Sequence, residues 1–221
     1  MEDKSLPATI LSQFVTDRRM NRMIEVLNFR TRYITVVLED IFQSHNAAAV
    51  LRTCDCFGIQ DVHIIENRYA FSHHPDIELG ASQWLRLHRY NSGTDNTGEC
   101  IKRLKESGYR IVATVPGPDT PPIGELDITK GKIALLFGTE KEGLSKNAIN
   151  TADEQLKIPM YGFTQSLNLS VTAALCIYDI VKNLRASEIN YLLTEKEKKE
   201  ILSEWLKRRA GIHDESSFAG R

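Results

Sequence analysis

Apolar positions along the chain change their period several times, and each change marks an element. Between Ala8 and Arg30, Ile10, Leu11, Phe14, Met20, Met23, Ile24 and Leu27 recur at roughly helical spacing, with Arg18, Arg19 and Arg22 on the other side. This predicts one or two helices outside the main sheet. Ile34 to Leu38 is a short β-branched run that reads as a buried strand, followed by a polar stretch from Glu39 to His45. Asn46 then stands where an N-cap belongs, ahead of Ala47, Val50, Leu51, Cys54 and Phe57 on one helical face, and Gly58 stops the helix. The alternation repeats with a strand at Val62–Ile65, a helix over Thr94–Ser107 closed by Gly108, and a strand at Arg110–Thr114. Pro116 to Gly124 is a rigid turn region, Ile133–Phe137 and Gln155–Ile158 read as further central strands, and Asn168–Leu184 is a strongly apolar helix. A charged helix over Thr194–Arg209 has only Ile201, Leu202, Trp205 and Leu206 as an apolar side. Strands alternating with helices predict an α/β fold, a mostly parallel sheet with helices on both faces.

Composition adds a boundary and a puzzle. With 221 residues, 42% of them apolar and 26% charged, the chain reads as one ordinary globular domain, or one domain with short extensions, which excludes disordered, collagenous and disulfide-scaffold classes. The net charge of -1 offers no hint of a polyanionic partner. Its distribution does: residues 1–32 carry six basic and four acidic groups, residues 182–209 carry eight and five, and residues 33–181 carry 13 and 18. Two weakly basic ends flank an acidic middle. The four cysteines include no C-x-x-C pair, which suits a reducing compartment. Met1 is followed by Glu2, Asp3 and Lys4 with no apolar stretch behind them, and the longest apolar run, Ile133–Phe137, is far too short to span a bilayer. A cytoplasmic protein with no membrane partner is expected.

Three loops at the C-terminal ends of predicted strands carry the candidate chemistry, because open α/β sheets bind ligands there. The first, Ser44 to Thr53, places Asn46 and Arg52 about 1.7 turns apart, on neighbouring faces of one helix. An arginine there can clamp a phosphate through its rigid fork of donors. Alone, the pair also reads as a cap and a solvated charge. The second is Phe137-Gly138-Thr-Glu140-Lys-Glu-Gly143-Leu-Ser145, where two glycines permit sharp turning and close approach of a ligand to the backbone. It lacks the Gly-Lys-Ser/Thr of a P-loop, and no G-x-G-x-x-G follows any strand, so nucleoside triphosphates and dinucleotides lose ground. In the third, Ile158-Pro-Met-Tyr-Gly162-Phe-Thr-Gln-Ser166-Leu-Asn168-Leu-Ser170, Ser166 or Asn168 caps the apolar helix. Capping accounts for one of these polar residues, not for the series.

Taken together, Asn46-x-x-Ala49-x-x-Arg52-Thr53, Gly138-x-Glu140-x-x-Gly143, and Ile158-Pro-Met160 followed by Ser166-Leu-Asn168-Leu-Ser170-Val171 resemble the three motifs of the SpoU branch of the SPOUT RNA 2'-O-methyltransferases. Order and spacing match from about residue 33 to residue 184; Gly80-Ala-Ser-x-Trp84 and Ala113-Thr114 are similar to family features, and Leu169 stands where valine is common. The resemblance implies a SPOUT fold with a C-terminal deep trefoil knot, spanning 33–185 between helical extensions at 1–32 and 186–221. It implies a homodimer with active sites at the interface, and S-adenosylmethionine bound in the knot through main-chain groups of Thr114, Gly138, Ile158 and Leu167. It makes Arg52 the catalytic residue, with Asn46, Glu140, Ser166 and Asn168 arranging it, the ribose and the methyl donor. A guanidinium stays protonated in almost any site, so Arg52 is expected to anchor a phosphate and activate the hydroxyl rather than act as a base.

The implied substrate is tRNA. Gln165 before Ser166 and the two extensions are similar to the enzymes that methylate guanosine in the D-loop, at its eighteenth position. The alternatives are a ribosomal RNA ribose methyltransferase and a non-catalytic RNA-binding protein of the same fold. Contacts to RNA are expected to be mainly electrostatic. The candidates are Arg18, Arg19, Arg22 and Arg30, His45, Arg86 and Arg89, and Lys182, Arg185, Lys207, Arg208 and Arg209. His73 and His74 lack metal-ligand spacing, and no metal is assigned.

Overall fold

Strands β1 (Ile34–Glu39), β2 (Asp61–Ile65) and β5 (Ile133–Phe137) are buried at every position, as runs of Ile, Val and Leu must be when both faces of a sheet are covered. They form the middle of the sheet in the computed structural model, which describes residues 15–72 and 74–212. With β3 (Arg86–Tyr90), β4 (Arg110–Thr114) and β6 (Glu154–Leu156), the sheet has the order β3-β2-β1-β5-β4-β6, and every pairing is parallel.

Helices α2 (Ser44–Phe57) and α6 (Leu169–Ala186) cover one face, against Ile34, Val36, Leu38, Leu135 and Phe137. On the other face, α4 (Asn96–Glu106) and α5 (Lys146–Thr151) pack against Val37, Ala134 and Leu136. The short α3 (Pro75–Glu78) lies between β2 and β3. Helices α1 (Asp17–Leu27) and α7 (Glu195–Arg209) build a third cluster from Met23, Leu27, Ile201, Trp205 and Leu206. Arg30 ties this cluster to the domain: it is 1% exposed, pairs with Asp55, donates to the Ile59 carbonyl at 3.0 Å, and lies 5.5 Å from the Trp205 ring centre. Among the described residues, no helix is long and apolar enough to cross a membrane.

Local chemistry sets most boundaries. Gly58 ends α2 at φ 82°, and a Cβ there would collide with the Phe29 carbonyl, so only glycine fits. Thr194 and Glu197 close a reciprocal capping box on α7. Three expectations need correction or trimming, and one strand has no counterpart in the sequence pattern. Helix α2 starts at Ser44, with Gln43 at the N-cap, so Asn46 is not the cap; its side chain is engaged elsewhere. Strand β6 is Glu154–Leu156 rather than Gln155–Ile158, because Lys157 already hydrogen-bonds the Pro121–Ile123 segment. Strand β3 went unpredicted, since Arg-Leu-His-Arg-Tyr carries no apolar run; its charges are instead matched, Arg86 by Glu204 and Arg89 by Glu66. Of the helical pattern beginning at Ala8, the part before Val15 lies outside the described residues.

Candidate active site

The three motif loops leave the same end of the sheet and meet over β1 and β5. Asn46, in the first turn of α2, is buried and donates its Nδ2 to Gln43 Oε1 at 3.0 Å and to Glu140 Oε1 at 2.6 Å. Asn168 caps α6, its Oδ1 accepting from the Ser170 amide at 2.8 Å and the Ser170 hydroxyl at 2.6 Å. That orientation turns its Nδ2 outward, where it donates to Glu140 Oε1 at 2.8 Å and to Asn46 Oδ1 at 3.1 Å. One carboxylate oxygen thus gathers two amides from two different helices. Gly138 lets the Glu140 loop close: Thr139 and Gly143 exchange amide-to-carbonyl bonds of 3.0 and 2.9 Å, and a Cβ on residue 138 would overlap the Gly143 carbonyl and the Leu144 amide.

Further along α2, Arg52 is exposed and has no polar partner among the described residues. Ser166 is likewise exposed and unpaired among them. The cluster is thus a fixed polar surface built from three loops, and Arg52 on α2 and Ser166 ahead of α6 keep their donors unengaged among the described residues.

Residues 33–178 match the SpoU rRNA methylase family. The chain belongs to that family. Similar relatives are a tRNA (guanosine(18)-2'-O)-methyltransferase of Borreliella burgdorferi, 48% identical over 86% of this chain and 84% of that protein, and its namesake in Thermus thermophilus, 34% identical over 87% and 98%. Among solved structures, the A. aeolicus TrmH/SpoU tRNA modifying enzyme superposes with a TM-score of 0.77 at 27% identity, covering 87% of this chain and 96% of that one.

In this SpoU methylase, three of the residues expected at a methyl donor stand at or just past the ends of three adjacent strands, Gly138 after β5, Thr114 on β4 and Ile158 after β6, while Leu167 precedes α6. Thr114 ends β4 and donates its hydroxyl to the Leu136 carbonyl at 2.8 Å, fixing β4 against β5. Ile158 packs against the main core cluster, and Leu167 is 37% exposed. The main chain from residue 158 to 167 makes no hydrogen bond to other described residues. An adenosine needs such free amides and carbonyls beside apolar walls, and these residues fit it.

The basic candidates separate into two groups. Arg30, Arg86, Arg89 and Arg208 serve the fold: Arg89 holds Glu66 at 2.6 and 2.8 Å, and Arg208 donates to the carbonyls of Gln83 and Leu85 at 2.8 and 2.9 Å. Arg18, Arg19, Lys182, Arg185 and Arg209 are exposed, Arg22 pairs on the surface with Glu25, and His45 stacks on His74 with centroids 4.6 Å apart.

Sequence reasoning missed Glu39. It is 2% exposed and accepts from Thr97 Oγ1 at 2.6 Å, Ser145 Oγ at 2.8 Å and the Ser145 amide at 2.8 Å. It therefore pins the far end of the Glu140 loop to β1. A carboxylate at the end of an otherwise apolar strand was the available signal, since a buried acid needs partners.

Proposed function

We propose that the protein transfers a methyl group from S-adenosylmethionine to a ribose 2'-hydroxyl of tRNA, at guanosine 18 of the D-loop. The observation that carries this is the convergence of Asn46 and Asn168 on Glu140 Oε1, with Arg52 free on the same helix as Asn46. The Borreliella burgdorferi relative, 48% identical over most of the chain, favours tRNA over ribosomal RNA; a 23S rRNA enzyme of Vibrio vulnificus is 28% identical over 76%.

Main-chain groups near Thr114, Gly138, Ile158 and Leu167 hold the methyl donor. When bound, it supplies a methyl group on a positively charged sulfur, an electrophile open to in-line attack. Arg52 grips a phosphate of the RNA backbone and so fixes the neighbouring ribose. The 2'-hydroxyl oxygen would take the methyl as the methyl's bond to sulfur breaks, its proton passing to water, and Arg52, whose guanidinium has no lone pair to accept that proton, would activate the hydroxyl through its charge. Glu140, held by two amides, and the Ser166 hydroxyl orient the ribose and the donor, and Asn46 and Asn168 keep the carboxylate in place.

The same reading includes a homodimer in the cytoplasm and a knotted C-terminal segment. Val171, Leu175 and Tyr178 support the dimer: they are 45%, 44% and 54% exposed and recur along one face of α6. The contacts of Lys157 with Pro121 and Ile123 support the knot, since they lay the chain leaving β6 against the long β4–β5 connection. Exposed Arg18, Arg19, Lys182 and Arg185 carry the electrostatic RNA contact. The test is Arg52→Ala: transfer to tRNA falls by on the order of 10²–10⁴-fold while S-adenosylmethionine affinity stays within twofold. An alanine variant that keeps a tenth of the wild-type rate overturns the role of Arg52.

A further inference from the structure

Beyond β1 and β2, next to the Asn46 cluster and on the side away from the donor-binding loops, two surface loops are joined by rings. The chain after β1 turns through Asp40 at φ 54°, a conformation costly for a residue with a side chain. What holds it is its carboxylate, which accepts from the amides of Asn67 at 2.7 Å and Arg68 at 2.8 Å on the loop after β2. Across this seam Phe42 meets Tyr69 edge to face with centroids 5.0 Å apart, and three residues further on His45 stacks on His74 at 4.6 Å and 30°. The chain following each strand, loop and helix start together, contributes one ring to each pair.

Fold stability does not account for Phe42. The ring is 70% exposed, so its contact with Tyr69 removes little apolar surface from water. Its position is informative. The next residue, Gln43, accepts directly from Asn46, which places the ring one residue from the polar cluster. The Arg68 guanidinium lies 5.6 Å from the Tyr69 ring centre and is tethered to Glu142 at 2.6 Å, two residues after Glu140. The same Arg68 guanidinium answers both Asp40 and Glu142, so what this surface offers RNA is its rings rather than a surplus of positive charge.

An enzyme acting on one ribose must hold that nucleotide clear of its neighbours, and π-faces are what an unstacked base binds. We infer that Phe42 and Tyr69, with the His45–His74 pair beside them, form a stacking platform for the base of the nucleotide being methylated. The donor crevice beyond β5, β4 and β6 lies to one side of the Asn46–Glu140–Asn168 cluster and the platform to the other, so the ribose sits between donor and base. This rests on the RNA methylation reading and adds to it the site that takes the base.

The test uses unmodified tRNA transcript with wild type, Phe42→Ala, Tyr69→Ala and Phe42→Trp. Loss of the Phe42 ring is expected to raise KM for tRNA about tenfold with S-adenosylmethionine affinity within twofold of wild type. Phe42→Trp is expected to restore KM and to gain an emission component, absent from wild type, that tRNA quenches. Unchanged KM in both alanine variants, or tryptophan emission at position 42 indifferent to tRNA while the enzyme methylates it, overturns the platform alone. A wild type that neither binds nor methylates tRNA overturns the methylation reading and the platform with it.

Discussion

Replacing Glu39 with glutamine isolates the support under the Glu140 loop from the chemistry above it. The glutamine fills the same space, and its carbonyl oxygen can keep the bonds from Thr97 Oγ1 and Ser145 Oγ, at 2.6 and 2.8 Å in the native protein. Its amide nitrogen, however, faces the Ser145 amide, a donor against a donor where the native distance is 2.8 Å. One hydrogen bond to a charged acceptor is lost, a cost of about 1.5–3 kcal/mol. Glu39→Ala removes all three bonds and leaves a hole in a 2% exposed site, with an expected cost of about 3–5 kcal/mol. Because Ser145 ends the loop that begins at Gly138, Glu140 should lose its register with Asn46 and Asn168, lowering kcat more than it raises KM for the methyl donor. Urea unfolding read beside steady-state methyl transfer measures both effects. A glutamine variant with the wild-type urea midpoint and the wild-type kcat would show that Glu39 does not support this loop.

Other consequences follow from single sites. Gly138→Ala should cost about 1–3 kcal/mol by overpacking and weaken donor binding measured by calorimetry, since the new methyl overlaps the Gly143 carbonyl. Of the four cysteines only Cys56 is exposed, whereas burial pushes the Cys176 thiol up to about 12 and those of Cys54 and Cys100 upward as well. A thiol reagent should therefore label one cysteine in the native state and all four in denaturant. Burial, then the neighbouring His88, lowers the His63 imidazole from 6.5 to about 3. With its folded pKa below the unfolded one, the unfolded chain binds the extra proton between these values, so stability falls with decreasing pH by up to about 1.4 kcal/mol per unit. Urea midpoints of His63→Gln between pH 6.5 and 4 should show that slope reduced; an unchanged slope would assign it elsewhere. At Asp61, burial raises the carboxyl but His88 and Arg32 outweigh it and bring it down to about 2, so its contribution is present above about pH 4 and lost toward pH 2.

The central strands were legible because a buried parallel strand is written as an unbroken apolar run, as at Ile133–Phe137. The helices were legible through their faces and stops, Gly58 and Thr194 among them. What escaped was built by long-range pairing. Strand β3 is held at the sheet edge by parallel pairing with β2, and its arginines find acids 23 and 118 residues away in the chain. Asn46 looked like a cap because a polar residue precedes an apolar face, and only the return of the chain at Glu140 and Asn168 gives its side chain a different task. The site itself was visible as three loops at strand ends, yet their convergence on one carboxylate oxygen depends on strand order, which no local pattern carries. Similarly, the basic residues were visible as charges, but their division into structural arginines and exposed ones is decided by partners such as Asp55, Glu66 and Glu204.

The most direct test of the function is made on the substrate. The protein is given methyl-labelled S-adenosylmethionine with a tRNA transcript, with the same transcript carrying 2'-deoxyguanosine at position 18, and with ribosomal RNA, and the labelled nucleotide is mapped after digestion. Label on the ribose of guanosine 18 in the first RNA and none in the deoxy transcript is the predicted result. Label that persists in the deoxy transcript, or that appears only in ribosomal RNA, contradicts it.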